Sequence, residues 1–149
     1  MPADTSESVT AVKSSDLIST LQAMSQGAEL DNAALDKLLA LVGGDPALLG
    51  DLIDSFLQET PPLLVALRRS LEEGNAAGLR QAAHPLKSSS RDFGATRLSE
   101  LAKELEEMGK AGQLNGAAPL VDAADAEFPR VKAALEAVRG GVHQMRSAA

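Results

Sequence analysis

The residues best suited to chemistry in this 149-residue chain lie between Arg80 and Arg91, around a histidine. At about 100° per residue, Arg80, Gln81, Lys87, Ser88 and Arg91 fall within about 60° of His84 around a helix. Leu79, Ala82, Ala83 and Leu86 fall on the other side, so the histidine is expected on the wet face. Three cations, Arg80, Lys87 and Arg91, share its stripe in a chain whose formal net charge is −7. Cations disfavour protonation of a neighbouring imidazole and attract phosphoryl oxygens. A neutral imidazole nitrogen is a nucleophile. Ser88, one turn on, is small enough to let another protein's active site approach the ring. Geometry alone leaves open the alternative of an ordinary surface histidine.

Other chemistries are excluded one by one. The chain has no cysteine, so disulfides, thiolate metal sites, iron–sulfur clusters and a thiol nucleophile are absent. Its two histidines, His84 and His143, form no H-x-x-x-H pair, and His143, in a polar stretch beyond Gly140-Gly141, is given no role. Asp122 and Asp125 stand one turn apart and could hold a cation, but nothing else oxygen-rich converges there, and a solvated face is the expectation. No glycine-rich phosphate loop occurs, so the chain neither hydrolyses ATP nor binds a cofactor by any motif present. The acidic balance, with three Phe, no Tyr and no Trp, argues against nucleic-acid and anionic-membrane binding. No apolar run reaches the roughly 20 residues that a bilayer requires, and residues 1–10 lack a signal-peptide pattern. A soluble cytoplasmic protein is expected.

The elements that must position His84 are helical. Ala, Leu, Glu, Lys and Arg dominate, and no segment alternates with period two. Residues 1–30 read as a tail or linker, with one weak helical face from Leu17, Leu21, Met24 and Ala28. From Asp31, Leu35, Leu38, Leu39 and Val42 form a stripe that Gly43-Gly44 closes. Asp45-Pro46 opens a second helix, carried by Leu49, Leu52, Ile53, Phe56, Leu63, Leu64, Leu67 and Leu71, with Pro61-Pro62 expected to kink or break it. Asn75 caps the histidine helix, whose inner face is Leu79, Ala82, Ala83, Leu86 and Ser90 or Phe93, up to a break at Asp92-Phe93-Gly94. Leu98, Leu101, Leu105 and Met108 mark the next helix, flanked by Lys103 with Glu107 and Glu106 with Lys110. Residues 109–116 read as a loop. Val121, Ala124, Phe128, Val131, Leu135 and Val138 then alternate three and four apart, the seam of a bundle helix, until Gly140-Gly141. The expected fold is all-α: an antiparallel, up-down-up-down four-helix bundle over residues 31–140, with an additional N-terminal capping helix and a flexible tail at 141–149.

The run Ala83-His84-Pro85-Leu86-Lys87-Ser88-Ser89-Ser90, followed by Phe93-Gly94-Ala95 and then Leu98, Leu101 and Leu105-Glu106, resembles the signature of histidine-containing phosphotransfer (HPt) domains of multistep phosphorelays. Phe56-Leu57-Gln58-Glu59-Thr60-Pro61 is also similar to that family's second helix. The resemblance spans residues 45 to about 107, is architectural beyond that, and does not extend before Leu30. It implies that His84 accepts a phosphoryl group through its outward nitrogen and that the Lys87 ammonium steadies the phosphoryl oxygens. Arg80, Gln81, Ser88 and Arg91 would neighbour the phosphate or the docked partner, with Ser88 at the usual glycine position. Glu106 stands where some members place a glutamine; a carboxylate would repel phosphate, which puts a hydrogen bond to His84 in doubt. Pro85 removes the N–H that would bond the Gln81 carbonyl, so a local kink at His84 is predicted.

On that resemblance the chain is a phosphocarrier without its own kinase or ATPase site. Its partners would be receiver domains of response regulators and hybrid sensor histidine kinases, and magnesium would sit on the receiver. The alternative is a small helical adaptor or a dimerising bundle with an incidental surface histidine, including a histidine-kinase dimerisation domain. A monomer fits the phosphocarrier, because four helices can close a core within one chain.

Overall fold

Short-range chemistry starts and stops the helices. Asp31, Asp45 and Asn75 each turn a side-chain oxygen onto a free backbone N–H of the following turn, at Ala33 (3.0 Å), Ala47 (2.9 Å) and Gly78 (2.9 Å). The computed structural model describes residues 29–148, with side chains through residue 141. Its helices are α1 (Asn32–Leu41), α2 (Pro46–Glu72), α3 (Ala76–Asp92), α4 (Thr96–Ala111) and α5 (Ala117–Ala148), and no strand occurs among the described residues. The segment with Leu17, Leu21, Met24 and Ala28, and the side chain of His143, lie outside the described residues.

Cross-contacts fix the directions. Phe56 stacks on Phe93 (ring centroids 4.7 Å apart) while Ser70 lies against Gly78, so α2 and α3 are antiparallel. His84 and Lys87 on α3 meet Glu106, and Gly109 meets Ala76 and Arg80, so α3 and α4 are antiparallel as well. Arg97 reaches Glu127 while Met108 lies by Gly116, which reverses α5 on α4. The ring closes where Arg68 binds Asp122 and Asp125 (2.7 and 2.6 Å) and Arg139 binds Asp54 (2.6 Å), joining α5 to α2. The aliphatic stripes turn into this ring: Leu49, Ile53, Leu67, Leu79, Leu86, Leu98, Leu105, Val121, Val131 and Leu135 are all fully buried. The α1 helix packs on α2 and α3 with Leu35 and Leu39 buried. Its start is tied to the α3–α4 turn by Asp31 N–H donating to Gly94 O at 2.7 Å. Gly94 has φ +74°, and a Cβ there would lie 2.6 Å from Asp31 O, so both conformation and contact require glycine.

Three expectations change: the break at Pro61-Pro62, the start of the loop after α4, and the end of α5. The α2 helix runs unbroken through Pro61 and Pro62, because both are exposed and Ile53 and Phe56 before them, Leu64 and Leu67 after them, bury one continuous stripe. The α3 helix is continuous across His84 and Pro85, with Ala83 and Leu86 buried on either side. The α4 helix passes Gly109 and ends at Ala111, so the loop is 112–116. The α5 helix does not stop at Gly140-Gly141 but continues to Ala148; with Arg139 opposite Asp54, the first turns of α2 still lie alongside it.

Candidate functional site

The most extensive helix contact in the bundle is between α3 and α4. Small residues allow it: Ala83 and Ser90 on α3, and Ala102 and Gly109 on α4, are all buried. On α4 the series Ser99, Ala102, Glu106, Gly109 is spaced three and four apart, so one carboxylate is set among small residues facing α3. The Glu106 side chain is only 3% exposed.

That carboxylate holds the histidine. Glu106 Oε2 lies 2.5 Å from His84 Nδ1, and Glu106 Oε1 lies 2.6 Å from Lys87 Nζ. The hydrogen bond from Lys87, and with it that from His84, holds the Glu106 carboxyl down at about 2 against the opposing effect of burial; the charge of Lys110 adds to the lowering. A carboxylate only accepts, so Nδ1 carries the proton and donates it. In the neutral ring the free electron pair then resides on Nε2. The ring itself is 63% exposed, and the bond at Nδ1 turns Nε2 outward. The result is an imidazole fixed in tautomer and orientation by a buried anion, with its nucleophilic nitrogen offered to solvent.

The structure brings together three of the residues singled out from sequence: His84, Lys87 and Glu106. Glu106 is a correction in two respects. It faces inward, not along the outer face with Lys110, and it does bond His84; Lys87 offsets the negative charge that argued against the contact. Lys87, 25% exposed, is engaged by Glu106 with one of its three N–H groups. Arg80, Gln81 and Arg91 are exposed along the same face of α3, and Ser88 is half-buried. Asp122 and Asp125, considered for a cation, instead bind Arg68. Among the described residues, no group of three or more His, Cys, Asp or Glu is arranged to hold a metal ion. A cleft of about 590 Å3 lined by Thr96, Arg97, Glu100, Glu127 and Arg130 shares no residue with the His84 cluster. The α4 stripe of small residues with one carboxylate was the available signal for Glu106.

An exposed imidazole backed by a carboxylate and a lysine is suited to entering another protein's active site. The family model for the Hpt domain matches residues 51–149. The chain belongs to the Hpt domain family. A solved structure, histidine-containing phosphotransfer protein B (HptB) from Pseudomonas aeruginosa PAO1, is 31% identical. The match covers 74% of this chain and 94% of that one, with a TM-score of 0.68. No curated protein matches. This Hpt domain therefore has a histidine phosphotransfer role in phosphorelays, as a carrier of the phosphoryl group. The α1 helix lies before the matched residues. No helix among the described residues is long and apolar enough to cross a membrane.

Proposed function

We propose that His84 is the residue that carries the phosphoryl group, on Nε2, between the aspartates of two receiver domains, one in a hybrid sensor kinase or response regulator and the other in a second regulator. The observation that carries this reading is the Glu106 bond to Nδ1 of an exposed histidine. The electron pair of Nε2 attacks the phosphorus of an aspartyl phosphate; the N–P bond forms as the P–O bond to aspartate breaks, and the aspartate leaves as a carboxylate. The ring, still protonated at Nδ1, becomes cationic as this happens, and the Glu106 carboxylate stabilises the developing charge. Lys87, with N–H groups beyond the one given to Glu106, neutralises phosphoryl oxygens, while Arg80 and Arg91 add positive potential for an acidic partner. The reverse sequence delivers the group to the next aspartate. In phosphoryl transfer most of the catalysis is positioning and charge neutralisation; magnesium is the receiver's contribution, and this chain is a phosphocarrier with no kinase or ATPase site of its own. Docking uses the exposed face of α3 around Gln81, His84 and Ser88.

Phosphoramidate labelling tests this without a partner. Wild type should gain an acid-labile, base-stable adduct by mass spectrometry and phosphorus NMR, and folded His84→Gln should gain none. Label retained in His84→Gln would reject His84 as the acceptor.

A further inference from the structure

Gly109 sits within α4, where glycine weakens a helix relative to alanine. Its place is explained by what a side chain would strike. A Cβ there would lie 2.8 Å from Ala76 O, 2.8 Å from Arg80 N and 2.9 Å from Arg80 Cβ. None of these atoms is the far end of a flexible side chain; all belong to the α3 backbone or are fixed to it. Ala76 and Arg80 are four residues apart, so α4 rests on a single backbone hydrogen bond of α3 at this point. One turn back along α4 is Glu106, and one turn on from Arg80 along α3 is His84. At the other end of the contact, Ser99 Oγ donates to the Lys87 carbonyl at 3.1 Å. Spacing added at Gly109 would therefore open the helix pair as a wedge about Ser99, with Glu106 near its wide end.

We propose that Gly109 is a positioning residue for phosphotransfer: by lacking a side chain it lets α4 approach α3 closely enough for Glu106 to hold both His84 Nδ1 and Lys87 Nζ. Relaxing a 2.8 Å contact to an ordinary 3.4 Å or more moves α4 outward by an amount that bonds of 2.5 and 2.6 Å cannot absorb without weakening. The inference deepens the reading of His84 as acceptor and rests on it for its catalytic consequence, while its structural half stands on the helix contact alone.

The test compares wild type, Gly109→Ala and a control, Ile53→Val, which loosens the buried core on α2 without touching the α3–α4 contact. Trimethylamine N-oxide in every sample favours the compact state, and circular dichroism verifies it. Nitrogen-15 NMR reads the His84 tautomer and carbon-13 NMR the Glu106 titration. In Gly109→Ala the Nδ1–H preference should relax, the Glu106 midpoint should rise from about 2 toward 4.5, and phosphoramidate labelling should slow roughly tenfold. Ile53→Val should leave all three unchanged. In a Glu106→Ala background, Gly109→Ala should slow labelling no further. Unchanged tautomer and titration in folded Gly109→Ala, equal changes in Ile53→Val, or additional slowing in the Glu106→Ala background would each overturn the proposal. Failure of wild type to label at His84 would instead reject the acceptor reading, with the NMR comparison still deciding the role of Gly109.

Discussion

Glu106 sets a negative charge beside the ring proposed to accept the phosphoryl group, and Lys87 offsets that charge. The carboxylate and the ammonium cancel as a pair, so an approaching phosphate meets a fixed ring and not a bare anion. Lys87→Ala removes the proposed partner of the phosphoryl oxygens and the charge that keeps Glu106 ionised while buried. The expected outcome is transfer to a receiver slowed by roughly tenfold to a hundredfold, with phosphoramidate labelling of His84 reduced but detectable. Unaltered transfer rates in rapid-quench measurements would count against the lysine. The same pair gives stability a pH dependence. A carboxyl held at about 2 when folded and near 4.5 when unfolded contributes stability that is complete above about 4.5. That contribution is lost as pH falls through about 2, and it amounts to at most about 3 kcal/mol. Urea midpoints followed downward from neutral pH should decline over this window in wild type, and Glu106→Gln should flatten the decline.

At the scale of the helix, local signals and tertiary contacts divide the work. Pro85 follows the nucleophile on an exposed face and leaves the Gln81 carbonyl without its helical donor. Pro85→Ala restores that bond and should raise thermal stability by about 1–3 kcal/mol, read as a higher Tm by circular dichroism. An unchanged or lower Tm would mean that the backbone at His84 does not bear the cost of the proline. Ser90 offers a second case: its hydroxyl is fully buried without a hydrogen-bond partner. Ser90→Ala is expected to be neutral or stabilising by about 1 kcal/mol in denaturant titrations. Elements set by neighbours along the chain are legible in the amino acids alone: the caps at Asp45 and Asn75, the break at Gly94, and the stripes from Leu35 to Val138 all occur where the residue types place them. What stays hidden at that level depends on partners far along the chain. The resemblance sets Glu106 near His84, but its bond to the ring follows only once Lys87 is seen to share the carboxylate, and Gly109 reads as a loop until the α3 backbone is seen against it. Pro61-Pro62 carry a stop signal that continuous burial on both sides overrides, and the last helix likewise continues past Gly140-Gly141.

For the molecule as a whole, closure of the core within one chain is the property that frees His84. The α5 helix returns to α2 and is pinned near both ends of their contact, by Arg68 on Asp122 and Asp125 and by Arg139 on Asp54. These pairs are exposed, so the apolar seam of Val121, Ala124, Val131, Leu135 and Val138 carries most of the association and the ion pairs chiefly set its register. Among the described residues the large apolar side chains left in solvent, Leu41, Leu48 and Val65, are single residues at separate places along the sequence. A pairing of copies through the α3 face would bury the imidazole that a receiver must reach and would bring Arg80, Lys87 and Arg91 against their own counterparts. The chain is therefore expected to be a monomer, with light scattering after size exclusion giving a mass near 15.4 kDa. Screening by salt should leave that mass unchanged, since only exposed charges are affected. Transfer to an acidic receiver should slow in the same salt series, because there the cations around His84 steer the encounter. A stable dimer that persists on dilution and retains His84 labelling would contradict this, and would require an interface outside the α3 face.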